Sequence, residues 1–235
     1  MATPTQARRH PTVAFYGDSI VTGWRGTSSP RARWSSLVSD DLGWREVNLA
    51  LDGMGYFRRR GPRGADGERQ PSATDTTLLD ALVRLEPDAV VVCLSANDIR
   101  FLPDRADEVR AAIDRDHRRL AEDLPGRPVL VTTYFPTREL SDRAAQMRAW
   151  ITDAAARWGH THVAGFGTAT ADDPHLLCDD GVHPNDAGHR ALADAILPAC
   201  AALVGGDRSM RRPAGNGQAD VPTRSEAPVR VATPS

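Results

Sequence analysis

Short runs of apolar residues alternate along the chain with longer segments in which apolar residues recur every three or four positions. The short runs have the length of β-strands, and the longer segments have the spacing of amphipathic helices. Strands that alternate with helices are typical of a parallel sheet covered by helices on both faces. The pattern therefore predicts an α/β fold, a three-layer α/β/α sandwich with a five-stranded, mainly parallel sheet. The predicted strands are residues 12–16, 46–49, 89–94, 129–134 and 161–163.

The last predicted helix has the clearest pattern. It follows the sequence Pro184-Asn185-Asp186, which suits a helix start, and its apolar positions keep helical spacing to Val204. Residues 205–235 are then rich in Gly, Pro, Ser and Arg without periodicity, which predicts a disordered tail. Residues 1–11 form a short N-terminal arm. We therefore expect one folded domain over residues 12–204.

Residues 56–71 form a long internal segment that has neither helical nor strand periodicity. Loops of this length inside a compact domain often cover a binding site, so the segment is a candidate lid. Its five arginines outnumber its two acidic residues. If the segment folds over a pocket, this charge would favour an anionic substrate. The alternative is that the arginines only solvate a surface loop.

All 29 basic residues of the chain are arginine, which excludes lysine chemistry. A P-loop lysine on phosphates, a Schiff-base lysine and a Ser-Lys dyad are therefore ruled out. The net charge of −2 gives no general attraction to nucleic acid or to an anionic membrane. We expect no nucleic-acid partner.

The three cysteines, Cys93, Cys178 and Cys200, are odd in number, widely spaced and without a CxxC pair. This pattern indicates reduced thiols and favours neither a disulfide framework nor a zinc site. The N-terminus lacks the apolar segment of a signal peptide, and we expect no segment long enough to span a bilayer. These features predict a cytoplasmic protein that uses neither a metal nor a cofactor.

Four short segments carry polar or glycine residues suited to catalysis. Ser19 ends a Gly-Asp-Ser triplet after the first strand, Gly53 follows the second strand, and Asn97 follows the third. Asp180 and His183 lie three positions apart just before the last helix. The carboxyl ends of parallel strands meet at one edge of a sheet, where open α/β folds bind ligands. The order of the segments therefore predicts that they meet at this edge.

The Asp180 and His183 spacing lets a carboxylate fold back onto an imidazole. An aspartate that accepts the Nδ1 proton leaves Nε2 free to take a proton from a serine hydroxyl. Taken alone, each of the four segments also fits a structural role. Those roles are a turn closed by an aspartate side chain, a loop glycine, a helix N-cap and a solvated helix entry.

Together and in this order, the four segments resemble the four blocks of the SGNH (GDSL-type) hydrolases, over nearly the whole of residues 12–204. The resemblance implies a flavodoxin-like fold and cleavage of an ester or thioester through an acyl-serine intermediate. It implies that Ser19 is the nucleophile, His183 the general base and then acid, and Asp180 the group that orients His183. The oxyanion hole would consist of the backbone N–H groups of Ser19 and Gly53 and the side-chain amide of Asn97.

The chain departs from this family pattern in two places. Ser95 stands where the third block usually has a glycine, and its side chain is expected to narrow the pocket or to shift the Asn97 loop. The segment after Gly53 is longer than the usual short turn. The candidate substrate contacts are Asp18, Trp24, Arg58, Arg59 and Arg60.

Other fold and site classes fit the sequence less well. The Gly-x-Ser-x-Gly elbow of α/β-hydrolases does not occur, and Gly53-Met54-Gly55 lacks the third glycine of a Rossmann fingerprint. Neither the His160-x-His162 pair nor the Asp and His residues between positions 179 and 189 have a recognised metal-ligand spacing.

Two functional alternatives remain open on the sequence. An acyltransferase would form the same acyl-enzyme and resolve it with an alcohol in place of water. A non-catalytic binding module would keep the fold without turnover. The presence of the complete residue set argues against the binding module, because packing alone requires none of these residues.

Overall fold

The computed structural model describes residues 10–205. The predicted tail therefore lies outside the described residues except for Gly205, and so does the predicted N-terminal arm except for His10 and Pro11. The domain boundaries at residues 12 and 204 stay predictions.

Five parallel strands form one sheet in the order β2-β1-β3-β4-β5. This confirms the predicted three-layer α/β fold. The third strand ends at Cys93, one residue earlier than predicted. The fourth ends at Thr132, two residues earlier than predicted. The strands are β1 (Thr12–Gly17), β2 (Arg45–Ala50), β3 (Ala89–Cys93), β4 (Val129–Thr132) and β5 (Thr161–Val163).

Six α-helices connect or follow these strands. The shortest is a single turn at the exit of β1, too short for any periodicity to predict it, and the longest covers 22 residues. They are α1 (Ser19–Thr22), α2 (Trp34–Leu42), α3 (Thr77–Leu85), α4 (Leu102–Asp123), α5 (Asp142–Arg157) and α6 (Asp186–Gly205).

Side chains of β1 alternate between the two halves of the core. Val13 and Phe15 pack on one face with residues of α2 and α6. Ala14 and Tyr16 pack on the other face with residues of α3, α4 and α5. The alternation follows from the two-residue period of a strand, and burial on both faces explains why β1 reads as an uninterrupted apolar run.

One helix corrects a sequence-based expectation. The 19 residues Asp186–Val204 of α6 are long and apolar enough, by length and composition, to cross a bilayer. The expectation that no segment reaches that length was therefore wrong. In the structure, Leu192, Ala193, Ile196 and Cys200 are buried and pack in the core beneath the sheet. The apolar composition of α6 is thus used for packing within this chain.

The predicted lid segment is partly core. Tyr56 and Phe57 are fully buried, so the start of residues 56–71 anchors the segment to the domain. Residues 61–70 then form a short antiparallel turn-back. The Gly61 N–H donates to the Gln70 carbonyl, the Gln70 N–H donates to the Pro62 carbonyl, and a β-bridge joins Arg63 to Arg69. This second half is mostly exposed.

A buried histidine joins two helices. The backbone N–H of Trp34, the first residue of α2, donates to Nδ1 of His189 in α6 at 3.3 Å, so Nδ1 is unprotonated. Burial lowers the pKa of His189 to about 4, assisted by Arg33 and His183 and opposed by Asp186. The unfolded chain, with an ordinary histidine pKa near 6.5, therefore takes up this proton first as the pH falls.

We predict that wild-type protein loses stability from this group as the pH falls from about 6.5 towards 4. At pH 5 the loss amounts to about 2 kcal/mol. Urea unfolding at pH 7.5 and pH 5 measures it, and His189→Asn should shrink the difference between the two values by that amount. The same substitution at the exposed His175 is the control. Equal pH dependence in wild type and His189→Asn would contradict the prediction.

Candidate active site

The sheet order places β1 between β2 and β3. The chain therefore leaves β1 at the point where the strand order reverses and the connections run to opposite sides of the sheet. Open α/β sheets bind ligands at such a point. Ser19, Gly53 and Asn97 follow β1, β2 and β3, respectively, and so lie at the same edge.

Ser19 is placed by a tight turn. A Cβ on Gly17 would lie only 2.8 Å from the carbonyl oxygen of Cys93 and would overlap Val21, so this position admits only glycine without a shift. Asp18 then caps the first turn, its carboxylate accepting the backbone N–H of Ile20 at 3.0 Å. The turn presents Ser19 as the first residue of α1.

Three side chains from distant parts of the chain form a hydrogen-bonded series. Nε2 of His183 lies 3.0 Å from Oγ of Ser19, and Nδ1 of His183 lies 2.7 Å from Oδ2 of Asp180. The other carboxylate oxygen of Asp180 accepts the backbone N–H groups of Val182 and His183, each at 2.9 Å. This arrangement leaves one ring nitrogen directed at the serine hydroxyl.

Asp180 is a carboxylate at neutral pH. Partial burial raises its pKa, but hydrogen bonds from the backbone and ring of His183 and from the Val182 N–H outweigh that effect and lower it to about 2. An ionised Asp180 accepts the Nδ1 proton and favours the tautomer in which Nε2 is a base. The series can therefore withdraw a proton from Ser19.

The loop that carries Asp180 and His183 is held on both sides. A β-bridge joins Leu177 to Pro184, and the backbone N–H of Cys178 donates to the carbonyl of His183 at 2.8 Å. The Tyr134 hydroxyl donates to the carbonyl of Val182 at 2.7 Å. These contacts fix the loop against the exits of the central strands.

The Asn97 amide is engaged inside the protein. Its Nδ2 donates to the carbonyl oxygen of Met54 at 2.9 Å and to Oδ2 of Asp18 at 3.1 Å. Gly53, next to Met54, adopts a φ of +69°, which favours glycine. Among residues 10–205, no protein acceptor receives the backbone N–H of Ser19 or of Gly53. These two N–H groups are therefore available to a ligand.

Comparison with known proteins connects this geometry to a family. The family model described as "GDSL-like Lipase/Acylhydrolase family" matches residues 15–191, about three quarters of the chain. The chain belongs to this family. The match includes Ser19, Gly53, Asn97, Asp180 and His183 within its limits.

Individual relatives agree with this assignment. The chain is 30% identical over 195 residues to the GDSL lipase Rv0518 of Mycobacterium tuberculosis, covering 79% of this chain and 80% of that protein. Its fold is similar to the crystal structure of TesA, with a TM-score of 0.65, 20% identity and coverage of 82% of this chain and 99% of that one. It is also similar to the esterase EstA from Pseudoalteromonas sp., with a TM-score of 0.62, 16% identity and coverage of 80% and 95%.

The family's third block has Ser95 in place of glycine here, and the structure shows where its side chain goes. The Ser95 hydroxyl donates to the Tyr134 carbonyl at 2.7 Å and accepts the Tyr134 backbone N–H at 3.0 Å. The side chain is buried against the exit of β4. The expectation that Ser95 narrows the pocket is therefore wrong, because its side chain joins two neighbouring strand exits.

The consecutive arginines after Gly53 take three different places. Arg58 Nη1 donates at 3.0 Å to Oδ1 of Asn97, the oxygen of the amide whose nitrogen donates to Met54 and Asp18. Arg59 Nη1 donates to the carbonyl of Asp52 at 2.8 Å, and its Nε lies 3.3 Å from where a Cβ on Gly53 would be. Arg58 and Arg59 therefore hold the two loops that carry Asn97 and Gly53.

Arg60 is not a surface residue. It is 4% exposed, pairs with Asp116 at 2.5 Å and donates from Nε to the carbonyl of Gly55 at 2.7 Å. Its guanidinium also lies over the ring of Tyr16, 5.3 Å from the centroid. Arg60 therefore belongs to a buried ion pair, and a direct contact between Arg60 and a substrate stays a prediction.

Two further candidate substrate contacts border the histidine and the serine. The Trp24 ring packs edge-on against His183 with centroids 4.7 Å apart, and it is 38% exposed. A substrate contact for Trp24 stays a prediction. Asp18 is 4% exposed and faces Asn97, and burial raises its pKa to about 7 against the effect of hydrogen bonds from Ile20 and Asn97. Its contacts are therefore internal to the site.

The described residues also include free cysteines and potential metal ligands. Cys93, Cys178 and Cys200 are free, and burial together with Asp180, Asp179 and Asp186 raises the pKa of Cys178. Within the described part of the chain, no group of three or more His, Cys, Asp or Glu residues is arranged to hold a metal ion.

Sequence reasoning missed Tyr134 and Asp52. Tyr134 holds the loop that carries Asp180 and His183 through Val182, and Asp52 accepts the hydroxyl of Thr22 at the end of α1. Both residues are polar and stand at the carboxyl end of an apolar run, which is the same signal that singled out Ser19 and Asn97. Tyr134 belongs to none of the four segments, whereas Asp52 lies in the second one, directly before Gly53.

We predict that Arg58→Ala lowers kcat on a neutral ester such as p-nitrophenyl butyrate by about tenfold with little change in KM. Loss of an oxyanion donor costs roughly 10²- to 10³-fold in turnover. Arg58 only orients the Asn97 amide, so we expect its loss to have a smaller effect. Steady-state kinetics measure the effect, with Arg100→Ala as an exposed neighbouring control. A variant with unchanged kcat on the neutral ester would contradict this role.

Proposed function

We propose that the protein hydrolyses carboxylic esters or thioesters through an acyl-Ser19 intermediate. The observation that carries the proposal is the series from Ser19 Oγ to His183 Nε2 at 3.0 Å and from His183 Nδ1 to Asp180 at 2.7 Å. Membership of the GDSL-like lipase/acylhydrolase family supports the same reaction class.

In the first half of the reaction, Ser19 Oγ attacks the acyl carbon while its proton passes to Nε2 of His183. The ionised Asp180 stabilises the imidazolium that forms. Collapse of the tetrahedral intermediate breaks the bond to the leaving alcohol or thiol, which takes the proton from Nε2. In the second half, His183 removes a proton from water as the water oxygen bonds to the acyl carbon. Collapse of this second tetrahedral intermediate breaks the bond to Ser19 Oγ, which takes the proton back from Nε2 as the acid leaves.

The negative charge of each tetrahedral intermediate needs hydrogen-bond donors already in place. The unengaged backbone N–H groups of Ser19 and Gly53 supply two. The Asn97 amide is the third, and it must share or release its bond to Met54 or Asp18 to reach the oxyanion. Arg58 polarises that amide from its oxygen side.

Relatives with assigned names support an ester as substrate. One is the GDSL lipase of Mycobacterium tuberculosis, and another is the acetylxylan esterase Axe2 from Geobacillus stearothermophilus, with a TM-score of 0.58, 20% identity and coverage of 81% and 94%. The esterase EstA of Pseudoalteromonas was crystallised inhibited by monoethylphosphonate. A cytoplasmic location stays a prediction from the sequence.

The nucleophile can be tested with a fluorophosphonate probe, which labels activated serines covalently. We predict that wild type is labelled and that Ser19→Ala is not. His183→Ala and Ser19→Ala should each lose about 10⁴-fold or more in kcat on p-nitrophenyl butyrate, because the proton transfer and the nucleophile act as a unit.

Ser29→Ala is the matched control, since Ser29 is an exposed serine of the loop that follows α1. It should label and turn over like wild type. Labelling that persists in Ser19→Ala would place the nucleophile elsewhere and refute the mechanism.

A further inference from the structure

A cavity of about 390 Å³ lies between the exit of β2, the segment from Arg59 to Arg69, and α3. Part of its wall is apolar and is formed by Leu51, Met54, Leu78 and Ala81. The volume falls within the roughly 300–1,000 Å³ typical of small-molecule sites.

The rest of the wall carries an excess of positive charge. Five arginines line the cavity, namely Arg59, Arg60, Arg63, Arg69 and Arg84, against one acidic residue, Asp75. The Asp75 carboxylate already accepts the backbone N–H and hydroxyl of Thr77 at the start of α3. Asp75 therefore contributes one negative charge against the five positive charges of the arginines.

Three of these arginines have no acidic partner within residues 10–205. Arg59 pairs with Glu68 and Arg60 with Asp116. For Arg63, Arg69 and Arg84 no carboxylate in that range lies within 4.0 Å, and Arg63 and Arg69 donate only to backbone carbonyls. These three side chains are exposed, so water weakens their mutual repulsion, but an anion in the cavity would be attracted to all of them.

Arg60 supplies an independent indication. Its side chain is almost completely buried, it lines the cavity, and Nη1 has no hydrogen-bond partner among the described residues. A buried guanidinium N–H without an acceptor is costly. Nη1 is closed to solvent, so an anion in the cavity would reach it after a small shift of the Arg60 side chain.

We propose that this cavity binds an amphipathic anion. A carboxylate or phosphate head would lie among Arg60, Arg63, Arg69 and Arg84, and a short alkyl or aryl body would pack on the apolar wall. Arginine forks match both kinds of head group through paired N–H donors.

The cavity adjoins the proposed catalytic site through one side chain. Arg59 lines it and also covers Gly53 and holds the carbonyl of Asp52. The anion therefore has two possible sources, the far end of an anionic ester substrate or a separate small molecule. Only the first source rests on the proposed function.

Binding is tested by isothermal titration calorimetry on the full chain with hexyl phosphate, hexanoate and hexanol. We expect saturable binding of both anions and no binding of the alcohol of the same length. Arg84→Gln removes charge and Ala81→Phe fills the cavity, and each should weaken hexyl phosphate binding by about tenfold. Arg118→Gln, the same charge change on an exposed site of α4, should leave it unchanged.

Steady-state kinetics distinguish the two possible sources of the anion. If the anion is part of the substrate, Arg84→Gln raises KM for the carboxylate ester p-nitrophenyl hemiglutarate alone, and hexyl phosphate competes with that ester. If the anion is a separate ligand, Arg84→Gln leaves KM for this ester and for p-nitrophenyl butyrate unchanged, although it still weakens calorimetric binding of hexyl phosphate about tenfold.

Hexyl phosphate that binds no more tightly than hexanol, or whose affinity neither Arg84→Gln nor Ala81→Phe changes, would overturn the proposal. Failure of the proposed function has a different signature. In that case ester turnover is lost or independent of Ser19, while calorimetric binding of hexyl phosphate persists.

Discussion

The parallel pairing of β1 with both β2 and β3 is the constraint on which the candidate site depends. It forces three loops, each from a different strand, to leave the sheet side by side. Close approach of Gly17 to the Cys93 carbonyl keeps the first and third of these loops in contact. A serine, a glycine N–H and an amide therefore share one small volume without any direct sequence connection.

Buried polar groups then fix the loop after β2. The carboxylate of Asp98 accepts the backbone N–H groups of Phe57 and Arg58, and a Cβ on Gly55 would overlap Asp98. Two residues after Arg58, Arg60 is held by Asp116, which also accepts the hydroxyl of Tyr16 on β1. The loop is thus attached to the segment that follows β3, to α4 and to β1, and the buried charges of Arg60 and Asp116 are paired as their desolvation requires.

Much of this arrangement could be predicted from the sequence, for identifiable reasons. Strands such as β3 are buried on both faces, so their apolar runs are unambiguous, and the motif residues lie where those runs end. The sequence does not show that three consecutive arginines, Arg58 to Arg60, have different roles. Arg58 contacts Asn97 and Arg60 contacts Asp116, and these partners lie about 40 and 56 positions away. The direction of the Ser95 side chain likewise depends on Tyr134, a contact across strands that local composition does not encode.

In the resting protein the Asn97 amide donates to two protein acceptors, and in the proposed reaction it must share or release one of these bonds. Under the proposed mechanism, an Asn97 donor that begins the cycle bound to Met54 and Asp18 would carry a reorganisation cost into each turnover. That cost is recovered only when strong negative charge develops nearby. A weakly polarised carbonyl in the ground state gains little from it, so the arrangement discriminates between a bound ester and its transition state.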